Sequence, residues 1–201
     1  MPVPAVERHP FAPFLPEGAK VLFLGSFPPQ PKRWCMDFYY PNWINDFWRV
    51  CGLLFFGDRH HFEVPGEKRF DKERIVAFCR EKGIALYDTA TAVRRLKDNA
   101  SDKFLEVVEA TDLATLFARL PRLAAVVTTG QKATEVLLER FGCAEPPMGG
   151  SVPLDGAQPG CDLRFYRMPS TSRAYPLALE KKAACYRRLF EALEMLPLQP
   201  L

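Results

Sequence analysis

The sequence predicts an α/β protein, a three-layer α/β/α sandwich around a central, mainly parallel, four-stranded sheet. Two observations carry that expectation. Short, continuously apolar runs alternate with amphipathic stretches of helical period along the chain, the rhythm of strands covered on both faces and joined by crossover helices. Each run also opens into a polar or glycine-bearing segment, as strand ends at a ligand-binding edge do. With 201 residues and 48% hydrophobic content, the chain fits a single domain, residues 1–201, with a core of its own.

Residues 1–18 are proline-rich without periodicity and read as an irregular lead-in strapped over the surface. The first strand is Lys20–Leu24, closed by Gly25. The segment from Ser26 to Asn45, with Pro28, Pro29, Pro31 and Pro41 among aromatic residues, is too long for a simple turn, and long loops inside compact domains tend to carry function. Asn45 or Asp46 caps a helix bearing Phe47, Trp48, Val50, Cys51, Leu53 and Leu54, which Gly57 ends. Asp71 caps the next helix, through Lys82, with Ile75, Val76, Phe78 and Cys79 inward and Gly83 as its stop. Ile84–Tyr87 is the second strand. Asp88 to Asp102 reads as a polar connection leading into short helical patterns at Phe104–Val108 and Leu113–Leu120. Ala124–Thr128 is the third strand, Gln131–Phe141 a helix between Gly130 and Gly142, and Leu163–Tyr166 the fourth strand. The last helix, about Leu177–Met195, repeats Leu179, Ala183, Tyr186, Phe190 and Leu193 at three- and four-residue intervals, one buried face.

Several function classes lack their parts. The longest apolar runs, Val21–Leu24 and Leu123–Val127, fall far below the ~18–20 residues of a membrane span. The start, MPVPAVERHP, has neither the charged opening nor the apolar stretch of a secretion signal, so a cytoplasmic location is expected. The six cysteines form no C-x-x-C pair, and no H-E-x-x-H, G-x-S-x-G or Walker pattern occurs; zinc and iron–sulfur sites, a serine triad and phosphoryl transfer lack their parts, and no metal is expected. His9, His60 and His61 stand outside all the strand-end segments. A net charge of +3 permits phosphate binding without arguing for it. The basic clusters Arg94-Arg95-Leu96-Lys97 and Lys181-Lys182 with Arg187-Arg188 read as solvated helix faces, with binding patches as the alternative.

Four segments follow the four strands: Gly25-Ser26-Phe27-Pro28-Pro29, Asp88-Thr89-Ala90-Thr91, Thr129-Gly130-Gln131-Lys132 and Pro169-Ser170-Thr171-Ser172-Arg173. A parallel sheet brings them to one edge. Hydroxyls, amides and backbone N–H groups there suit phosphate, and Tyr39 and Tyr40 offer rings for a flat base. Nucleic acid or a nucleotide is the expected ligand.

Gly25-Ser26-Phe27-Pro28 after a buried strand, Tyr39-Tyr40 followed by Asn45-Asp46-Phe47-Trp48, and Pro169-Ser170-Thr171-Ser172-Arg173 near the end resemble the motifs of the uracil-DNA glycosylase superfamily, nearest to its hypoxanthine and mismatch-specific branches. The resemblance runs over roughly residues 20–190 and implies a cofactor-free enzyme that flips a deaminated base out of DNA and hydrolyses its N-glycosidic bond. It implies DNA as partner, with no membrane and no obligate protein partner. It assigns Asn45 to positioning the attacking water, Tyr40 to stacking on the base, Phe27 to lining the pocket and Asp88 to accepting hydrogen bonds from the base edge. Ser26, Ser170, Thr171, Ser172 and Lys132 fall to phosphates, and Arg173 to the vacated space or the opposite strand. Two departures stand out. Phe27 occupies the position of a water-activating aspartate in uracil-removing relatives, and Met168 that of a histidine that stabilises the leaving base. A catalytically weak or inactive binding module on the same scaffold is therefore the alternative.

Overall fold

A computed structural model describes residues 4–96, 104–158 and 160–197. Among them the chain runs β1 (Val6–Arg8), β2 (Val21–Gly25), α1 (Phe47–Phe56), α2 (Lys72–Lys82), β3 (Ile84–Asp88), β4 (Ala90–Arg95) and β5 (Leu105–Ala110). It continues through α3 (Leu113–Ala118), β6 (Ala125–Thr128), α4 (Gln131–Phe141), β7 (Ser151–Pro153), β8 (Arg164–Arg167) and α5 (Leu179–Ala192).

The four expected strands lie side by side and parallel in the order β3-β2-β6-β8. Their carboxyl ends are level, because Gly25 pairs with Asp88, Leu24 with Thr128, and Thr128 with Arg167. β2 reaches β3 through α1 and α2 in one direction, and β6 reaches β8 through α4 in the other. Right-handed crossovers therefore put α1 and α2 on one face and α4 on the opposite one. Packing agrees. The Phe23 ring meets Phe47 of α1 at 5.1 Å and Phe190 of α5 at 6.0 Å, while α4 packs on β2 and β6 and its Phe141 stacks on Phe117 of α3 at 5.8 Å. Phe23, Phe47, Trp48, Phe165, Tyr186 and Phe190 are all fully buried, each worth about 1.5–3 kcal/mol against exposure. The helix ends follow their expected chemistry: Asp71 accepts from Arg74 N, and Gly57, Gly83 and Gly142 close α1, α2 and α4 with left-handed backbones.

The structure adds what the sequence concealed. A fifth strand, β7, pairs antiparallel with β8 at the sheet's edge; its flanking Gly149, Gly150 and terminal Pro153 mask it as loop, and proline is tolerated on an edge. A second, antiparallel sheet of order β1-β4-β5 stands apart from the first. Its three strands correct three expectations. The lead-in contains β1, the polar connection contains β4, and the helical pattern at Phe104–Val108 is the strand β5. A sheet with one wet face needs only alternate apolar positions, as Ala90, Ala92 and Leu105 supply, and cross-strand pairing outweighs the helical preference of the glutamates in β5. Lys97 and the rest of the stretch 97–103 lie outside the described residues. No helix among the described residues is long and apolar enough to cross a membrane.

Candidate active site

The level carboxyl ends of β2, β3, β6 and β8 deliver Ser26, Asp88, Thr129 and Ser170 to one edge. At β2 the chain must be glycine, since a Cβ on Gly25 would stand 2.5 Å from Asp88 Oδ1. Asp88 itself is 7% exposed. Its Oδ2 lies 2.9 Å from His9 Nε2, whose Nδ1 is 2.9 Å from the Phe11 carbonyl. The His9 ring packs among Phe11, Phe27, Tyr39 and Tyr87, so the residue that follows β1 walls the Asp88 side of the edge with a group from the amino-terminal lead-in. Next to Asp88, the Thr89 hydroxyl is buried with no hydrogen-bond partner among the described residues, a group that a ligand or a water would satisfy.

Tyr40 has a left-handed backbone, φ 51°, which costs a non-glycine residue about 1–2 kcal/mol. The surroundings hold it there. Its ring stacks on Phe47 at 3.9 Å with planes 9° apart, and its hydroxyl lies 3.0 Å from Thr129 Oγ1. Burial pushes the phenol well up despite the Thr129 hydrogen bond, and the charge on Asp88 adds to the rise. Tyr39 is structural: its hydroxyl donates to the Ala12 carbonyl at 2.8 Å. Asn45 Oδ1 accepts from Phe47 N at 2.9 Å. Its side chain thus caps α1, and its Nδ2 makes no hydrogen bond among the described residues. Capping and a role at the edge coexist.

Arg49, one turn into α1, clamps this loop from beneath. With a 3% exposed side chain, it donates to the Trp43 carbonyl at 2.7 Å and the Asn45 carbonyl at 3.1 Å, and to Glu63 Oε1 at 2.7 Å. Opposite, the segment after β8 is zipped to the Asn45 loop: Asn45 and Ser172 form a β-bridge, and Asp46 N donates to the Thr171 carbonyl at 2.9 Å. Asp46, 6% exposed, completes the join. Its Oδ2 accepts from Lys182 of α5 at 3.1 Å and its Oδ1 from Arg173 at 3.2 Å, while Lys182 also donates to the Ser172 carbonyl at 2.9 Å. Lys182, expected on a solvated face, is 1% exposed. Arg95, expected the same way, is buried in β4 and grips Glu7 through two hydrogen bonds of 3.1 Å.

The structure therefore gathers Tyr40, Asn45, Asp88, Ser170, Ser172 and Arg173 along one edge. Ser170 Oγ accepts from Ser172 N at 3.2 Å, Ser172 and Arg173 are exposed, and Thr171 and Ser26 are buried. Lys132 is half-buried in the first turn of α4. Phe27 packs on the side sheet, in a cluster with Ala90, Val93 and Leu105, with its ring 5.3 Å from that of His9, and lines a groove of about 500 Å³ with Pro28, Pro29 and Trp34. Met168 is 1% exposed and belongs to the core. Sequence reasoning missed His9, Arg49 and Lys182.

A parallel-sheet sandwich with a polar, aromatic-flanked carboxyl edge is the class that fold and site define. No protein-family model matches this chain, and no curated protein matches it either. Among solved structures it is similar to a solution NMR structure described as a "putative Uracil DNA glycosylase" from Methanosarcina acetivorans. The two share 24% identity with a TM-score of 0.58, over 92% of this chain and 99% of the other. The likeness is one of fold.

Proposed function

We propose that this chain is a monofunctional DNA glycosylase of base-excision repair. It flips a deaminated base, hypoxanthine, xanthine or uracil, out of DNA and hydrolyses the N-glycosidic bond to leave an abasic site. The observation that carries this reading is the zipped pair of loops, Asn45–Asp46 against Thr171–Arg173, set beside the stacked Tyr40 ring. Such an edge has a ring for a flat base, a carboxylate for a ring N–H, and hydroxyls and a guanidinium for phosphates. The description of the Methanosarcina structure supports it, and the fold is common to both. In this mechanism Tyr40 stacks on the everted base, worth about 1–3 kcal/mol, and Asp88 accepts from the lactam N–H that all three bases display. The Asn45 amide orients water toward the sugar as oxocarbenium character develops. An amide holds water without deprotonating it, so geometry rather than base strength drives the step. Ser26, Ser170, Thr171, Ser172 and Lys132 surround the phosphates through side-chain or backbone groups, and Arg173 holds the opposite strand.

Duplexes carrying inosine, xanthosine or deoxyuridine, cleaved with alkali after incubation, test it. The expected result is an abasic product from at least one, with Asn45→Ala slower by about 10²-fold. No product from any, with Asn45→Ala indistinguishable from the parent, removes the proposal. A binding module is the second reading, favoured by Phe27 packed on the side sheet and Met168 sealed in the core. It predicts salt-dependent DNA binding without product.

A further inference from the structure

The loop between α1 and α2 reaches the Asn45 turn through one side chain, that of Glu63. Its backbone is pinned: Glu63 forms an isolated β-bridge with Phe70, and its N–H donates to the His60 carbonyl at 2.9 Å. From there the carboxylate divides between two partners, Oε1 accepting from Arg49 Nε at 2.7 Å and Oε2 lying 2.8 Å from His60 Nδ1. A carboxylate near the surface thus counters a guanidinium sealed beneath the turn. The guanidinium is a rigid planar fork. Fixing its Nε at Glu63, and laying it over the Trp43 ring at 4.5 Å and the Phe70 ring at 5.1 Å, determines where Nη1 points. There stand the Trp43 carbonyl at 2.7 Å and the Asn45 carbonyl at 3.1 Å, the two sides of the turn that presents Asn45. The Asn45 side chain is then oriented by Phe47 N, which donates to its Oδ1 at 2.9 Å.

Resting on the reading of Asn45 as the group that orients water in a DNA glycosylase, we infer that Glu63 is a positioning residue for that reaction: its carboxylate fixes the Arg49 fork, and the fork fixes the turn that aims Asn45. Glu63 itself touches neither base nor phosphate. A misplacement of about 1 Å at a reacting group costs about 10²-fold in rate. A residue acting in this way therefore lowers the chemical step and leaves substrate binding in place. Glu63→Gln isolates the effect, because it keeps the shape and removes the charge that tightens the bond to Arg49.

Single-turnover rates at saturating lesion duplex, with the duplex concentration that half-saturates them, test the inference on the parent and Glu63→Gln. The rate is expected to fall about tenfold or more while half-saturation stays within about twofold. In the Asn45→Ala background the same substitution is expected to cost nothing further. An unchanged rate, a parallel weakening of half-saturation, or a second full loss on top of Asn45→Ala overturns the inference. Amide hydrogen exchange reads the same placement without turnover. The Phe47 N–H, whose acceptor is the Asn45 side chain, is expected to exchange about tenfold faster or more in Glu63→Gln. The Val50 N–H, bonded to the Asp46 carbonyl at 2.8 Å, is expected to keep the parent's rate. Equal exchange at Phe47 in both proteins, or faster exchange at both amides, overturns the inference. Should Glu63→Gln not fold, Arg49→Lys, which keeps the buried charge and loses the fork, carries the same measurements with the same outcomes. A parent that makes no product while the Phe47 N–H responds removes the glycosylase reading and keeps the positioning of Asn45 by Glu63.

Discussion

Asp88 has only part of its carboxylate free, since Oδ2 is held by His9 and Oδ1 lies over Gly25. His9→Phe keeps a ring among its aromatic neighbours and removes the donor. It is expected to cost about 1.5–3 kcal/mol in urea unfolding and to lower turnover further than His9→Gln, which retains an N–H. Equal turnover for the two variants argues against a role for the hydrogen bond. At Tyr40 the ring matters more than the hydroxyl: Tyr40→Phe should keep most activity, and Tyr40→Ala should raise the KM for damaged DNA about tenfold or more as stacking is lost. Steady-state kinetics on one lesion distinguishes the two. The placement of Tyr40 and Asn45 against α1 was legible because the ring, the cap and the helix they pack on lie within a few residues of each other. His9 was not, because its contact with Asp88 spans 79 positions and depends on β1 pairing with β4, a strand the polar sequence hides.

Among the elements, α5 does more than cover the sheet, since it supplies the cation that neutralises Asp46 between two loops. Lys182→Met leaves that carboxylate buried with Arg173 alone and is expected to lower stability by about 3 kcal/mol. Asp46→Asn in the same chain should recover much of the loss in urea unfolding while turnover stays depressed, because the loops are no longer drawn together. Full recovery of turnover in the double variant argues that the pair only stabilises. The buried face of α5 was readable from Leu179, Ala183, Tyr186 and Phe190, and position 182 falls on that same stripe. A lysine on an apolar stripe is the signal that went unused. The strands of the side sheet gave no comparable signal, since one face is wet and β5 carries the residues of a helix.

Over the whole molecule, the parallel sheet was legible because strands buried on both faces need unbroken apolar runs, and its level strand ends brought the four segments together as their order implied. The same burial sets the alkaline limit of the fold. Desolvation pushes Cys51, Cys79, Tyr40 and Tyr186 upward, so these groups stay protonated when folded and ionise near pH 8.5 and 10 when unfolded. The unfolded chain then binds fewer protons, and stability falls as pH rises. The urea midpoint is expected to show no loss from these groups between pH 7 and 8. It should drop from about pH 8.5 onward, as the unfolding free energy falls by up to about 1.4 kcal/mol per pH unit for each such group once its unfolded form is ionised. A midpoint unchanged at pH 10.5 contradicts that burial.

The tie between Asp46 and Lys182 also spans 136 positions. At ordinary translation speeds, Asp46 leaves the ribosome on the order of ten seconds before its counter-charge is made. Through that interval the nascent chain can assemble β2 and β3, and Arg49 can clamp the Asn45 loop, but the Thr171–Arg173 segment that zips to that loop is not yet made. The join between the two loops is completed only when α5 docks, and a stalled chain stopping short of it is left with a sheet but an unfastened rim.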